Sequence, residues 1–165
     1  MGVTDAGGLT RGEVEELSLH EQFDLFGERQ ARAEQLITDV QLQVSSDVWM
    51  WSGQMLLPSS GITARNRLPG ANGENSYYFS MARYIQPPGA DGDREDIEPV
   101  EAYFESQGWD VTFTEFGEND YEVVADTGEG YVLTYMVLPT GNYSLKVSTY
   151  LFWGDYRGLL YAIAD

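Results

Sequence analysis

The chain has 165 residues, with 27 acidic and 9 basic side chains, one histidine and no cysteine. A net charge of −18 opposes binding to nucleic acid and to anionic lipid, because both carry negative charge themselves. The missing cysteines exclude disulfides, thiolate metal sites and cysteine nucleophiles. Since 42% of the residues are hydrophobic, the composition favours one folded acidic domain.

The first residues are poor in apolar side chains and rich in glycine. Such a composition is typical of flexible chain ends and linkers. We therefore predict a flexible tether over residues 1–12 and a single α+β domain over residues 13–165.

A long helix is predicted from Ser18 to about Val44. Ser18 followed by Glu21 is a capping-box pattern, in which each side chain accepts a hydrogen bond from the other residue's backbone N–H. Apolar residues then recur three or four positions apart and share one face: Leu19, Phe23, Phe26, Ala33, Ile37, Val40 and Val44. The polar Gln30 and the small Ala33 interrupt the stripe. They therefore favour a helix that packs on a sheet rather than a coiled coil.

Turn-forming residues follow, and residues 52–75 are predicted to be loop-rich, with one short strand at 55–57. Residues 77–85 are rich in tyrosine and phenylalanine and predict a strand. A shorter helix comes next, with Asp96 as its N-cap and Gly108 at its end.

The second half of the chain alternates apolar and polar residues with a period of two. This pattern predicts strands at 111–116, 121–126, 131–138 and 143–152, joined by short glycine-containing turns such as the one at 128–130. Short connections make neighbouring strands antiparallel. We therefore expect a two-layer α+β sandwich, in which two helices cover one side of a mainly antiparallel sheet of about five strands. The pattern of the tail, residues 154–165, is ambiguous between helix and strand.

The sequence shows no recognisable set of catalytic residues. His20 lies in the first turn of the long helix without a partner nucleophile, so we interpret it as structural. The acidic residues from Asp91 to Glu98 do not fit the calcium-loop spacing and are interpreted as helix-start residues, with a weak calcium site as the alternative. We expect no metal, no cofactor and no enzymatic activity. A hydrolase that uses paired carboxylates remains a third alternative.

Aromatic residues next to loops provide candidate contact points for a partner. Trp51 is followed by Ser52-Gly53 and Trp153 by Gly154-Asp155, so both are expected to be partly exposed. Tyr150 lies on the solvent-facing side of the last predicted strand, 143–152. We predict Trp51, Tyr150 and Trp153 as partner-binding residues for a sugar or a peptide; the alternative is that they belong to the core.

Several motifs between Ser18 and Phe152 carry a family resemblance. They are a long helix ending near a tryptophan, a strand at 77–85, and the runs FESQGWDV at 104–111, DTGEGY at 126–131 and LKVST at 145–149. In this order they resemble small uncharacterised lipoproteins of actinobacteria. The resemblance implies a lipidated cysteine at the start of the mature chain, where this sequence has Met1 before the tether. It transfers no catalytic residues.

Two functions are therefore expected as alternatives. The first is a non-enzymatic binding domain outside the cytoplasmic membrane, secreted or held there by a lipid anchor, whose partner is a protein or a cell-envelope ligand. The second is an acidic cytoplasmic immunity or inhibitor protein that neutralises a basic toxin by charge complementarity.

Overall fold

A computed structural model describes residues 2–46, 50–51, 62–63, 67–85, 94–140 and 142–164. The helices are α1 (Arg11–Glu15), α2 (Leu19–Val44), α3 (Glu98–Ser106) and α4 (Tyr156–Ala164), with a 3₁₀ turn at Arg94–Asp96 before α3. The strands are β1 (Met50–Trp51), β2 (Ile62–Thr63), β3 (Ser76–Ile85), β4 (Asp110–Gly117), β5 (Asp120–Asp126), β6 (Tyr131–Val137), β7 (Tyr143–Thr149) and β8 (Phe152–Trp153). The strand predicted at 55–57 lies outside the described residues. Asp91 and Asp93 of the acidic run also lie outside them.

Helix α2 begins as its sequence predicts. The Ser18 hydroxyl accepts from the Glu21 backbone N–H, and the Glu21 carboxylate accepts from the Ser18 N–H, both at 3.1 Å. These two bonds satisfy N–H groups that the first helical turn leaves free. The short α1, which is not among the predicted helices, begins with the same arrangement between Thr10 and Glu13.

The sheet is antiparallel throughout its described pairings, in the order β1-β3-β7-β6-β5-β4, and β2 and β8 also pair with β3. The predicted α+β architecture is therefore confirmed, with more strands than the five expected. One cause is that the predicted strand 143–152 is interrupted. Its chain leaves β7 after Thr149, and β8 then pairs with the beginning of β3.

One face of the sheet forms the core, because alternate residues of β3, β5, β6 and β7 are buried on it. Helix α2 covers this face with Ala33, Ile37 and Val40, none of which retains solvent exposure. Among the other predicted stripe residues, Phe26 is also buried, whereas Leu19 in the first turn is exposed. The predicted packing of the helix on the sheet is confirmed over the middle of the helix.

The second helix differs from its prediction at its start. Ile97 occupies the N-cap position of α3 and makes no capping hydrogen bond with its side chain. Asp96 lies in the preceding 3₁₀ turn and accepts a hydrogen bond from the Tyr143 hydroxyl instead. The end is as expected, since Gly108 adopts a left-handed conformation with φ +76° just beyond the helix.

The described segments near both ends of the chain, residues 2–12 and 156–164, pack against the domain. Residues 1–12 were expected to be a flexible tether, but Asp5 is only 8% exposed, and its carboxylate accepts from the Trp153 N–H at 3.0 Å. The Ala6 N–H also donates to the Leu151 carbonyl at 3.0 Å. The prediction of a flexible tether is therefore wrong. Hydrogen bonds hold this polar segment against the domain, although it has little apolar surface to bury. The ambiguous tail forms α4, which buries Leu159 in the core.

Candidate functional site

Tyr150 stands beside an open groove at one end of the sheet. It follows β7, its side chain is 51% exposed, and the groove next to it has a volume of about 430 Å³. The N-terminal segment lines one side through Thr4 and Ala6, and the turn between β5 and β6 lines another through Gly128. Leu68 adds an apolar contact from a distant part of the chain. We call this region the Tyr150 groove.

The Tyr150 side chain is held in place by Asp126. Its hydroxyl donates to Asp126 Oδ2 at 2.9 Å, while Asp126 Oδ1 accepts from the Gly128 N–H at 2.9 Å. Asp126 therefore fixes the phenol from one side and the turn from the other. This hydrogen bond, together with the negative charge of Asp126, raises the pKa of the Tyr150 phenol, because both favour its neutral form.

The wall of the groove depends on close backbone contacts. The Tyr150 N–H donates to the Gly130 carbonyl at 2.9 Å. Gly130 has φ +96°, and a Cβ atom there would lie 2.6 Å from Cβ of Ala6. Only glycine combines this backbone conformation with such a close approach. The turn and the N-terminal segment therefore pack directly on each other.

Asp5 organises the N-terminal side of the groove. Its Oδ1 accepts from the N–H groups of Gly7 and Leu9 at 2.8 and 3.0 Å, so that the segment turns back on itself. Its Oδ2 bonds to Trp153, as described above, and lies 3.9 Å from the guanidinium of Arg29. These hydrogen bonds compensate the buried carboxylate for the hydration that it loses on folding.

A buried polar cluster lies behind this segment and joins α2 to the sheet. Arg29 donates to the Tyr77 hydroxyl at 2.9 Å, and its guanidinium stacks 4.0 Å from the centre of the Phe152 ring. The Tyr131 hydroxyl donates to the Arg29 carbonyl at 3.4 Å. Burial raises the pKa of Tyr77 and raises that of Tyr131 to about 12, because a buried phenolate would lose its hydration. The cluster thus joins α2 to β3, β6 and β8 behind the N-terminal segment.

The three predicted contact residues have different positions. Tyr150 is exposed and lies in the groove, as the alternation of β7 predicts. Trp153 is only 2% exposed and donates from its indole N–H to the Val3 carbonyl at 3.2 Å, so the prediction that it is partly exposed is wrong. The N-terminal segment that was expected to be a free tether covers it. The Trp51 backbone pairs with Arg83, and its side chain lies outside the described residues.

Two other candidate sites offer less chemistry. His20 is exposed, and its Nε2 lies 3.5 Å from the Asp24 carboxylate one turn along α2, as in an ordinary surface pair. A second cavity of about 260 Å³ lies between α1, α2 and Asp155. At its edge Arg11 pairs with Glu15, and Glu74 pairs with Arg157.

The part of the chain with described structure contains no group of three or more His, Asp and Glu side chains placed to hold a metal ion. None of its helices combines the length and the apolar character needed to cross a membrane. No family model, no curated protein and no solved structure matches this chain.

Proposed function

We propose that this protein is a non-enzymatic binding domain that acts outside the cytoplasmic membrane, secreted or held by a lipid anchor, and that the Tyr150 groove contacts its ligand. The observation that carries the proposal is the exposed Tyr150 ring held by Asp126 at the mouth of the groove. The lipoprotein resemblance supports the location.

A fixed tyrosine is well suited to binding. Its ring provides apolar area with only two rotatable bonds, so that little conformational entropy is lost when a ligand covers it. The bond to Asp126 removes part of that entropy before binding. Leu68 extends the apolar surface, and the nearby backbone is held by Gly130. These features describe a preformed contact surface for the flat face of a sugar ring or a peptide side chain.

The test uses soluble glycan-peptide fragments of bacterial cell wall as the probe. We expect them to shift the backbone amide resonances of Gly128, Gly130 and Tyr150 in the labelled full chain. Tyr150→Ala should weaken binding about tenfold or more, since removing a central aromatic contact typically loses more than about 1.4 kcal/mol. Peptide-free glycan and sugar-free peptide, titrated separately, identify which part of the fragment is bound.

Tyr161→Ala is the matched control, because Tyr161 lies on α4 and is 69% exposed. It removes the same side chain from a surface outside the groove. Binding that is unchanged in Tyr161→Ala and weakened in Tyr150→Ala supports the proposal. Fragments that do not bind the natural chain, or that bind both variants equally, contradict it.

The net charge of −18 favours a second candidate function, an acidic cytoplasmic inhibitor of a basic toxin. Gene context separates the two. A signal peptide and a lipobox cysteine encoded upstream of Gly2 favour the envelope function, whereas an adjacent toxin gene without such a signal favours the inhibitor.

A further inference from the structure

Strand β4 is an edge strand of the described sheet. It lies at the end of the strand order and, among the described strands, it pairs with β5 alone. The strand is eight residues long and contains neither lysine nor proline, and its irregularity falls only at its far end, between Glu115 and Gly117. Proteins usually protect such edges with lysine, proline, bulges or short strands. The two charged residues of β4, Asp110 and Glu115, are both acidic. Among the described residues no strand pairs with the outer side of β4, so its backbone groups can accept another strand.

Apolar side chains accompany this edge. Phe116 is 59% exposed. Val111 and Phe113 are half-buried at the margin of the core, and the Phe113 ring stacks on Tyr121 at a centre-to-centre distance of 5.9 Å. An added strand would cover these side chains as well as bond to the backbone.

The negative charge around the β4 edge limits which side chains an added strand can carry. Residues 110–125, the part of the β4-β5 hairpin that lies outside the Tyr150 groove, include five acidic side chains and no basic one. A nearby cation, Arg94, lies 4.1 Å from the centre of the Phe113 ring but already pairs with Glu101 at 3.1 Å. A second copy of this chain would place one acidic hairpin against another, which is unfavourable. A basic strand would instead neutralise the carboxylates.

We infer that the β4 edge binds an extended basic segment of a partner protein by adding it as the next strand of the sheet. This surface differs from the Tyr150 groove, and the inference does not depend on the proposed function. Main-chain hydrogen bonds would hold the segment, and the five carboxylates would select for lysine and arginine.

The test is a titration of the labelled full chain with a ten-residue, end-blocked peptide of alternating lysine and threonine. We expect this peptide to shift the amide resonances of β4 and to slow their hydrogen exchange. A glutamate-threonine peptide tests the charge requirement. A lysine-threonine peptide with every backbone nitrogen methylated tests the hydrogen-bonding requirement. Each control peptide should bind at least tenfold more weakly.

Two variants with the same change of charge locate the binding surface. Thr112→Lys adds a cation on β4, whereas Thr140→Lys adds one at an exposed turn between β6 and β7. The first should weaken binding several-fold more than the second, and Tyr150→Ala should have no effect. Equal binding of the methylated peptide, equal effects of the two lysine variants, or shifts centred away from β4 would overturn the inference.

Discussion

The phenol of Tyr150 reaches over β6 to donate a hydrogen bond to the Asp126 carboxylate at 2.9 Å. Asp126 ends β5 and Tyr150 follows β7, so this bond spans two sheet pairings on the face opposite the helices. The same carboxylate caps the turn at Gly128. One acidic side chain thus fixes both the ring and the loop that border the groove.

Removing this carboxylate should lower the pKa of Tyr150. The hydrogen bond and then the charge of Asp126 favour the neutral phenol, so its folded pKa lies above the ordinary value of 10.0. We expect Asp126→Asn to move the pKa back towards 10.0, measured by tyrosine NMR shifts against pH, with Tyr150→Phe identifying the signal.

The sign of the accompanying stability effect follows from linkage. A raised folded pKa means that the stabilisation is fully present below the unfolded pKa and is lost as pH rises through the folded value. The advantage of the natural chain over Asp126→Asn should therefore shrink only above about pH 10. Identical Tyr150 titrations in the two proteins would show that the bond does not form in solution.

Gly130 and Gly128 form a matched pair for testing the groove wall. Both have positive φ, but a Cβ at Gly130 would collide with Ala6, whereas one at Gly128 meets nothing within 4 Å. We expect Gly128→Ala to lose about 1 kcal/mol of unfolding free energy through backbone strain alone. Gly130→Ala adds overpacking and should lose about 3 kcal/mol. Urea unfolding measures both, and equal losses would contradict the close contact with the N-terminal segment.

Asp5 should be required for docking of the N-terminal segment. Asp5→Ala removes three hydrogen bonds to a buried carboxylate and leaves the neighbouring Arg29 guanidinium less compensated. We expect a loss of about 3 kcal/mol in unfolding free energy and greater solvent access to Trp153, seen as a red shift of its fluorescence. The exposed Asp24→Ala is the control. A segment that is free in solution would make the two variants alike.

The sequence predicted the elements whose signals are local. The capping box at Ser18, the alternating burial of the later strands and the exposure of Tyr150 all depend on neighbouring residues. The docked N-terminal segment was missed because Asp5 gains its partner, Trp153, from the other end of the chain. Asp5 lies two residues before Gly7-Gly8, and this turn signal could have indicated part of the arrangement. The burial of Trp153 and the groove wall at Ala6 follow from that same long-range contact.

Two tyrosines that pack edge to face in the core should respond differently to loss of their hydroxyl groups. Tyr135 is buried, and its hydroxyl has no hydrogen-bond partner among the described residues; burial raises its pKa. The Tyr143 hydroxyl donates to Asp96. Removing an unsatisfied buried polar group removes its desolvation penalty, so Tyr135→Phe should be neutral or stabilise by about 1 kcal/mol.

Tyr143→Phe instead leaves Asp96 without this donor and should destabilise by about 1 to 2 kcal/mol. Thermal unfolding of both variants at the same pH is the measurement. A Tyr135→Phe variant that loses as much stability as Tyr143→Phe would mean that its hydroxyl has a partner.

The most direct test of the proposed binding site is the ratio of the dissociation constants of Tyr150→Ala and Tyr161→Ala for cell-wall glycan-peptide fragments, measured at one salt concentration. We predict a ratio of about ten or more, because only the first variant removes the aromatic surface that Asp126 holds at the groove. A ratio of one, with both variants folded, would contradict it.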